Sequence, residues 1–123
     1  MMPYTPFSIT EAMVGFINSL NIGDGCGTRV PYDAPGRFQT VENIGGPINS
    51  KVCSTTLAIQ VWAPDEPTAE ADANDIALAI ETSAPPAGVH SMRVDQTPYP
   101  WFDDSTREPR YQIVVAAVHQ LTN

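Results

Sequence analysis

Two long stretches of the chain alternate side chains between two faces, as β-strands do, and this alternation limits the fold more than any other feature. Residues 54–63 place Leu57, Ile59 and Val61 on one face and the mixed set Thr56, Ala58, Gln60 and Trp62 on the other. Residues 110–120, "RYQIVVAAVHQ", are apolar on both faces. A period of two residues predicts strands, and apolar residues on both faces predict that the last strand is buried on both sides.

Two further stretches have weaker strand patterns. Residues 37–44 alternate with a mixed pattern that is typical of a strand near a sheet edge, and residues 89–95 form another short strand. Together with the two long strands, they predict a sheet of four to five strands.

Two stretches have the spacing of helices. Residues 8–20 open with Ser8 and Glu11, which match a capping box, and carry apolar residues on one face. A second helix follows the break at 64–67, with Thr68 as the predicted cap and a narrow Ala/Ile stripe. Its acids are expected to form a solvated face: Glu70, Asp72, Asp75 and Glu81.

This order of elements predicts an α+β fold. We expect a single domain, residues 1–123, built as a two-layer sandwich. Its sheet is mainly antiparallel, and two helices cover one face.

Two connecting segments carry further expectations. Residues 21–36 form a turn-rich connector with at most a short strand at 28–30; their Gly-x-Gly-x-Gly pattern lacks the helix start that a phosphate site needs. Residues 46–52 form a polar tongue bounded by Gly and Pro. This tongue is expected to be mobile in the isolated subunit and ordered in an assembly.

The charge of the chain restricts its partners. Fourteen acids and six bases give 123 residues a net charge of −8, which repels nucleic acid. No apolar run reaches the ~20 residues that cross a bilayer, and residues 1–10 lack the features of a signal peptide. We therefore expect the protein to be made and kept in the cytoplasm, without association with a membrane.

The residues able to do chemistry form no recognisable motif. Cys26, Cys53, His90 and His119 have the wrong spacing for a zinc site, and no nucleophile motif accompanies them. The pair Asp103–Asp104 lacks the residues of a calcium loop. We therefore expect no catalytic residue, no metal and no cofactor.

Aromatic residues in a proline-bearing loop are more informative. Tyr99, Trp101 and Phe102 lie in residues 96–109, and Trp62 ends a strand. Such side chains are favoured at protein interfaces, but they would equally serve to cap the open end of a sheet, and the sequence leaves both readings open.

Three stretches carry a resemblance to a known family: "RFQTVENIGGP" at 37–47, "STTLAIQVWAPDEPTAEADANDIALAI" at 54–80, and "WFDD…EPRYQIVVAAVHQL" at 101–121. In this order and spacing, with a helix before them, the chain resembles the tail terminator proteins of long-tailed (siphovirus-type) bacteriophages, such as those of actinobacteria. It departs from the family at Glu42, Asn43 and Ile44, where an arginine often precedes the Gly-Gly strand end.

The resemblance implies a structural virion protein and not an enzyme. Such a protein forms a ring, usually of six subunits, that caps the head-proximal end of the tail tube, stops tube growth and joins the tail to the neck. Its partners would be further copies of itself, the major tail tube protein and a neck or head-completion protein. DNA would pass through the lumen without specific binding. The protein would lie in the virion tail, and in the host cytoplasm during assembly.

Eight residues are candidates for subunit or tube contacts: Ile48, Asn49, Lys51, Tyr99, Trp101, Phe102, Arg110 and Tyr111. The alternatives are another head-to-tail connector, a small hydrolase that uses Cys26 or Cys53, or an unassembled binding module.

Overall fold

The computed structural model of the protein describes residues 5–31, 33, 36–101 and 109–122. Its elements in chain order are α1 (Ile9–Ser19), β1 (Cys26–Gly27), β2 (Phe38–Gly45), β3 (Ile48–Asn49), β4 (Val52–Trp62), α2 (Glu66–Thr82), β5 (Val89–Val94), β6 (Tyr99–Pro100) and β7 (Arg110–Gln120). The strands form one sheet in the order β1-β2-β4-β7-β5, with β3 beside β4 and β6 beside β7. The pairing is antiparallel except between β1 and β2. The predicted α+β class is confirmed.

The two strands with the strongest alternation form the centre of the sheet. β4 and β7 pair along their whole length, from Val52 opposite Gln120 to Trp62 opposite Arg110. Their inward side chains and both helices enclose one hydrophobic core. The largest buried contributors are Met13, Ile17, Leu57, Ile59, Ile76, Ile80 and Ile113. Both helices therefore lie on the same face of the sheet, as expected.

Helix α1 begins as its sequence predicts. The Ser8 hydroxyl oxygen accepts a hydrogen bond from the Glu11 backbone N–H at 3.1 Å, which satisfies one of the unpaired donors of the first turn. Helix α2, in contrast, begins earlier than predicted. Its cap is Asp65, whose carboxylate accepts from the Thr68 N–H at 2.8 Å and thereby lowers the pKa of Asp65. Thr68 lies inside the first turn.

One acid of α2 was assigned to the wrong face. Asp72 is not solvated: it is 3% exposed and lies on the buried side of the helix. Its carboxylate accepts two hydrogen bonds from the Arg37 guanidinium, at 2.7 Å and 3.0 Å. This ion pair raises the pKa of Arg37 and joins the start of β2 to α2. Helical spacing alone did not reveal the pair because Arg37 lies on a distant segment.

The prediction for the last strand is only half right. The helix-facing residues of β7, from Tyr111 to Ala117, are buried. The alternate residues Val114, Ala116 and Val118 are only partly buried, because no described element covers that side. We call this side of the sheet, opposite the helices, the open face.

Residues 46–52, the predicted polar tongue, are paired with the sheet in this structure, and their mobility in the isolated subunit stays a prediction. β2 and β3 form one interrupted edge strand along β4, with a register shift between Asn43 and Gly45. Ser50 and Lys51 make a two-residue turn with φ values of 50° and 71°, as in the primed turns of β-hairpins. Residues 46–52 therefore belong to a hydrogen-bonded β-hairpin.

Two short strands also differ from expectation. β1 lies at Cys26–Gly27, slightly before the predicted 28–30, and pairs in parallel with β2. β6 lies in the segment that was expected to be loop and pairs with β7. No helix among the described residues is long and apolar enough to cross a membrane.

Candidate functional site

The structure places six of the predicted interface residues at two separate ends of the sheet. The first, which we call the aromatic end, is where β4 ends and β7 begins. Here the Trp62 ring stacks on Phe38 with ring centroids 4.8 Å apart, and the Arg110 guanidinium carbon lies 5.2 Å from the Trp62 ring centroid. This arrangement gives an Arg–aromatic stack of the kind that contributes strongly to interfaces.

Tyr99 and Trp101 join this stack through β6. Their rings meet edge to face at 6.2 Å. The Trp101 N–H donates to the Arg110 carbonyl at 2.8 Å, and Arg110 Nε donates to the Trp101 carbonyl at 3.2 Å. Arg110 is thus held in place by both Trp101 and Trp62. The Trp101 side chain remains 45% exposed, so it is the part of the aromatic end that is available to a partner.

A polar ladder positions Tyr99 on the open face. Gln60 Nε2 donates to Gln112 Oε1, and Gln112 Nε2 donates to the Tyr99 hydroxyl oxygen. The ladder crosses β4, β7 and β6. It links β6 to the two central strands, and Trp101 directly follows β6.

Tyr111 points to the opposite side of the sheet from Arg110. It is 5% exposed, and its hydroxyl donates to Glu70 on α2 at 2.8 Å. This hydrogen bond, together with burial, raises the pKa of Tyr111 to about 12. Tyr111 therefore ties β7 to α2 in this conformation. Phe102, the remaining aromatic candidate, lies outside the described residues.

The second place, which we call the hairpin end, is formed by the β3–β4 turn and the end of β7. Ile48, Asn49 and Lys51 are all exposed here. Ile48 is 61% exposed, and the nearby Val52 and Leu121 are also exposed. The Leu121 N–H donates to the Lys51 carbonyl at 3.1 Å, which holds the chain after β7 against the turn. Lys51 is the only charged residue between Asn43 and Pro64.

The two ends differ in chemistry and lie far apart. β4 runs from Val52 at one end to Trp62 at the other, eleven residues in all. At about 3.3 Å per residue, this separates the ends by roughly 33 Å. The candidate residues therefore do not make one site. Six of them belong to an aromatic, arginine-bearing surface or to an aliphatic, lysine-bearing surface, whereas Tyr111 is buried against α2.

The small-hydrolase alternative would need a cysteine beside a base, and the structure does place Cys53 opposite His119 on neighbouring strands. Both side chains are buried, however, and both His119 ring nitrogens are engaged. His119 Nδ1 lies 2.8 Å from the Gln120 carbonyl, and Nε2 lies 2.7 Å from the Thr55 hydroxyl. Because a carbonyl only accepts, Nδ1 donates to it. The imidazole thus links the Thr55 side chain on β4 to the Gln120 backbone on β7.

Cys26 is equally unsuited to nucleophilic chemistry in this conformation. Burial raises the pKa of its thiol to about 12, so almost none of it is thiolate at neutral pH. Within residues 5–31, 33, 36–101 and 109–122, no cluster of three or more His, Cys, Asp or Glu side chains could hold a metal ion. Asp103 and Asp104 lie outside these ranges.

Two side-chain contacts were not predicted from the sequence: the Arg110–Trp62 stack and the Arg37–Asp72 pair. Each joins residues far apart in the chain, so neither spacing nor periodicity signals it. Comparison of the chain with protein-family models gives no match, and comparison with curated proteins gives none either.

Proposed function

We propose that this protein is a structural virion protein of a long-tailed bacteriophage that caps the head-proximal end of the tail tube as a ring. In this role it stops tube growth and joins the tail to the neck. The proposal starts from the resemblance of residues 37–47, 54–80 and 101–121 to tail terminator proteins, which implies a ring of six subunits.

One observation carries the proposal: the aromatic end and the hairpin end differ in chemistry and lie at opposite ends of one rigid sheet. A tail tube grows because each added ring offers the next one the same face, an open heterologous stacking with no natural end. A terminator has to match that face on one side and present something different on the other. A subunit with two unlike ends meets this requirement.

We assign the aromatic end to the contact with the tube. Trp101 is half-exposed directly after β6, which the polar ladder links to the sheet, and Arg110 is bonded to it. Rigid aromatic and arginine side chains are the usual anchors of protein interfaces. The hairpin end then faces either the neck protein or a neighbouring subunit.

The charge of the chain is compatible with this role. A net charge of −8 per subunit gives a ring a strongly negative potential, which reduces sticking of DNA to the lumen wall. DNA is thus expected to pass without specific binding.

Deletion of the gene tests the function directly. Phage lacking the protein are expected to produce heads without tails and free tubes of uncontrolled, excessive length. Tails of normal length in such lysates would refute the terminator assignment and favour a different head-to-tail connector instead.

A point variant tests the assigned tube surface. Trp101→Ala is expected to reduce tail joining while leaving the domain folded, because its ring is half outside the core. Val30→Ala, another exposed apolar residue, is the matched control and should join tails normally. Equal joining by both variants would remove Trp101 from the tube contact.

A further inference from the structure

The open face contains a groove near the hairpin end. It has a volume of about 530 Å³ and lies between Pro47, just before β3, and β5. Small side chains of the central strands, among them Thr56 and Ala116, form its floor, and Pro47 and Arg93 stand on its two sides. A floor of small residues lets another backbone or side chain approach the sheet closely.

The groove coincides with the part of β7 that lacks its expected cover. The alternate residues Val114, Ala116 and Val118 make a second apolar side of this strand, yet they are only partly buried. A strand that is apolar on both sides is typical of one covered on both sides. Within the described part of the chain, the second cover is missing.

Addition of a further strand at the sheet edges is a poor alternative. On β5, the outward Val94 N–H is already bonded to the Glu81 carboxylate at 2.5 Å. On β2, the Gly45 N–H is bonded to the Asn43 side chain at 2.7 Å, next to the register shift. Capped edge donors and irregular edges are devices that discourage strand pairing. A partner is therefore expected on the face of the sheet.

The outer face of α2 has the complementary form. Leu78 is 63% exposed, more than any other large apolar residue described. Asp75 lies three residues before it and thus adjoins it on the helix surface, whereas the Glu81 carboxylate is turned to the edge of β5. Residues 66–82 contain no Lys or Arg, so this convex face is an exposed leucine in an acidic setting.

The charges around the groove suit such a helix. The Arg93 side chain is 75% exposed and lies 3.8 Å from Asp95, a long contact that leaves the guanidinium available. Lys51 lies at the same end of the sheet, on the β3–β4 turn. An apolar helix face with flanking charges in a matching groove is a recurring recognition mode.

We propose that the groove receives Leu78 and the outer face of α2 from a second copy of the chain, with Asp75 of that copy beside Arg93. The contact joins the open face of one subunit to the helix face of the next. It is heterologous, so it closes into a ring or continues as a stack. The inference rests on the ring assembly in the proposed function and names the surfaces that build it.

The first experiment measures self-association of the purified chain by sedimentation velocity over a concentration series. Leu78→Ser and Thr56→Trp are each expected to weaken association about tenfold or more, by removing the inserted side chain and by filling the groove. Val30→Ser, which changes an exposed apolar residue elsewhere, should associate like the unmodified chain. A chain that stays monomeric throughout, or variants that associate normally, would overturn the proposal.

Charge exchange then tests the pairing. Arg93→Glu and Asp75→Lys should each weaken association, and the double variant should recover most of the loss. A double variant that associates as weakly as the single variants would show that these two residues are not in contact.

Disulfide trapping locates the contact between copies. Thr56→Cys and Asn74→Cys chains, mixed under mild oxidation, should form a cross-linked heterodimer, whereas neither variant alone should do so to the same extent. Glu66→Cys is the control, because it lies about 18 Å from Leu78 along the helix at 1.5 Å per residue. Equal cross-linking of Thr56→Cys with Glu66→Cys would contradict the assigned surface.

These results are separable from those that test the function. If the chain assembles through the groove but gene-deleted lysates hold tails of normal length, the terminator function fails and the contact stands. If the Leu78→Ser and Thr56→Trp variants still form rings, the proposed contact is refuted and the proposed function is unaffected.

Discussion

The two partners of the Arg37–Asp72 ion pair should differ in how much stability the protein loses when each is replaced by alanine. Asp72 is buried, with 5% of its side chain exposed, whereas 44% of the Arg37 side chain is exposed. Arg37→Ala leaves a carboxylate inside the protein without its two hydrogen bonds. Asp72→Ala leaves a guanidinium that water already reaches. We therefore expect Arg37→Ala to be the more destabilising change.

The magnitudes follow from this asymmetry. Removing one partner of a fully buried pair costs about 3–5 kcal/mol. Partial solvent access through Arg37 reduces this, so we expect about 2–3 kcal/mol for Arg37→Ala. Asp72→Ala loses the same hydrogen bonds but removes the buried charge, and alanine is the better helix former. We expect it to cost about 1 kcal/mol or less, and the double variant to resemble it.

Denaturant unfolding at pH 7, followed by fluorescence of the buried Trp62, measures these free energies. Arg29→Ala is the matched control: Arg29 is an exposed arginine of the connector, and its loss should change stability by no more than about 0.5 kcal/mol. If Asp72→Ala proved as destabilising as Arg37→Ala, the argument from a stranded buried charge would be refuted.

Two further predictions concern backbone space and pH. Gly46→Ala should destabilise the hairpin by at least about 2 kcal/mol, because a Cβ at this position would lie 1.8 Å from a carbonyl oxygen of β4. Gly15→Ala, whose Cβ would meet nothing within 4 Å, should instead stabilise α1 by about 0.5–1 kcal/mol. Thermal unfolding of both variants measures the difference, and equal changes in stability would contradict the argument. The raised pKa of Tyr111, about 12 in the folded protein, means that the folded state holds this proton more tightly than the unfolded chain. Its contribution to stability is therefore present below about pH 10 and is lost as the pH rises through 12. Tyr111→Phe should lower stability at pH 8 and flatten this alkaline loss, as measured by denaturation at several pH values; an unchanged pH profile would show that the Tyr111–Glu70 hydrogen bond does not couple to folding.

The candidate surfaces were only partly accessible from the sequence. Trp101 and Arg110 stood out as an aromatic and a base in a proline-bearing segment, and the structure does bring them together. Tyr111 shared their segment and was grouped with them. However, the twofold period of the strand turns its side chain to the other face, against α2. The roughly 33 Å between the aromatic and hairpin ends follows from β4 being continuous from Val52 to Trp62.

The sequence by itself determined the elements whose signals are local and repeated. The alternation in residues 54–63 and 110–120, and the capping residue before α1, depend only on neighbours along the chain, so β4, β7 and α1 follow from them. Tertiary structure decided what depends on distant residues. A turn of Ser50 and Lys51 is strained in isolation and is held by pairing of β3 with β4. Asp72 is buried because Arg37 comes from another segment to pair with it. No described element covers the open side of β7, and a period of two marks that face as apolar without determining what covers it.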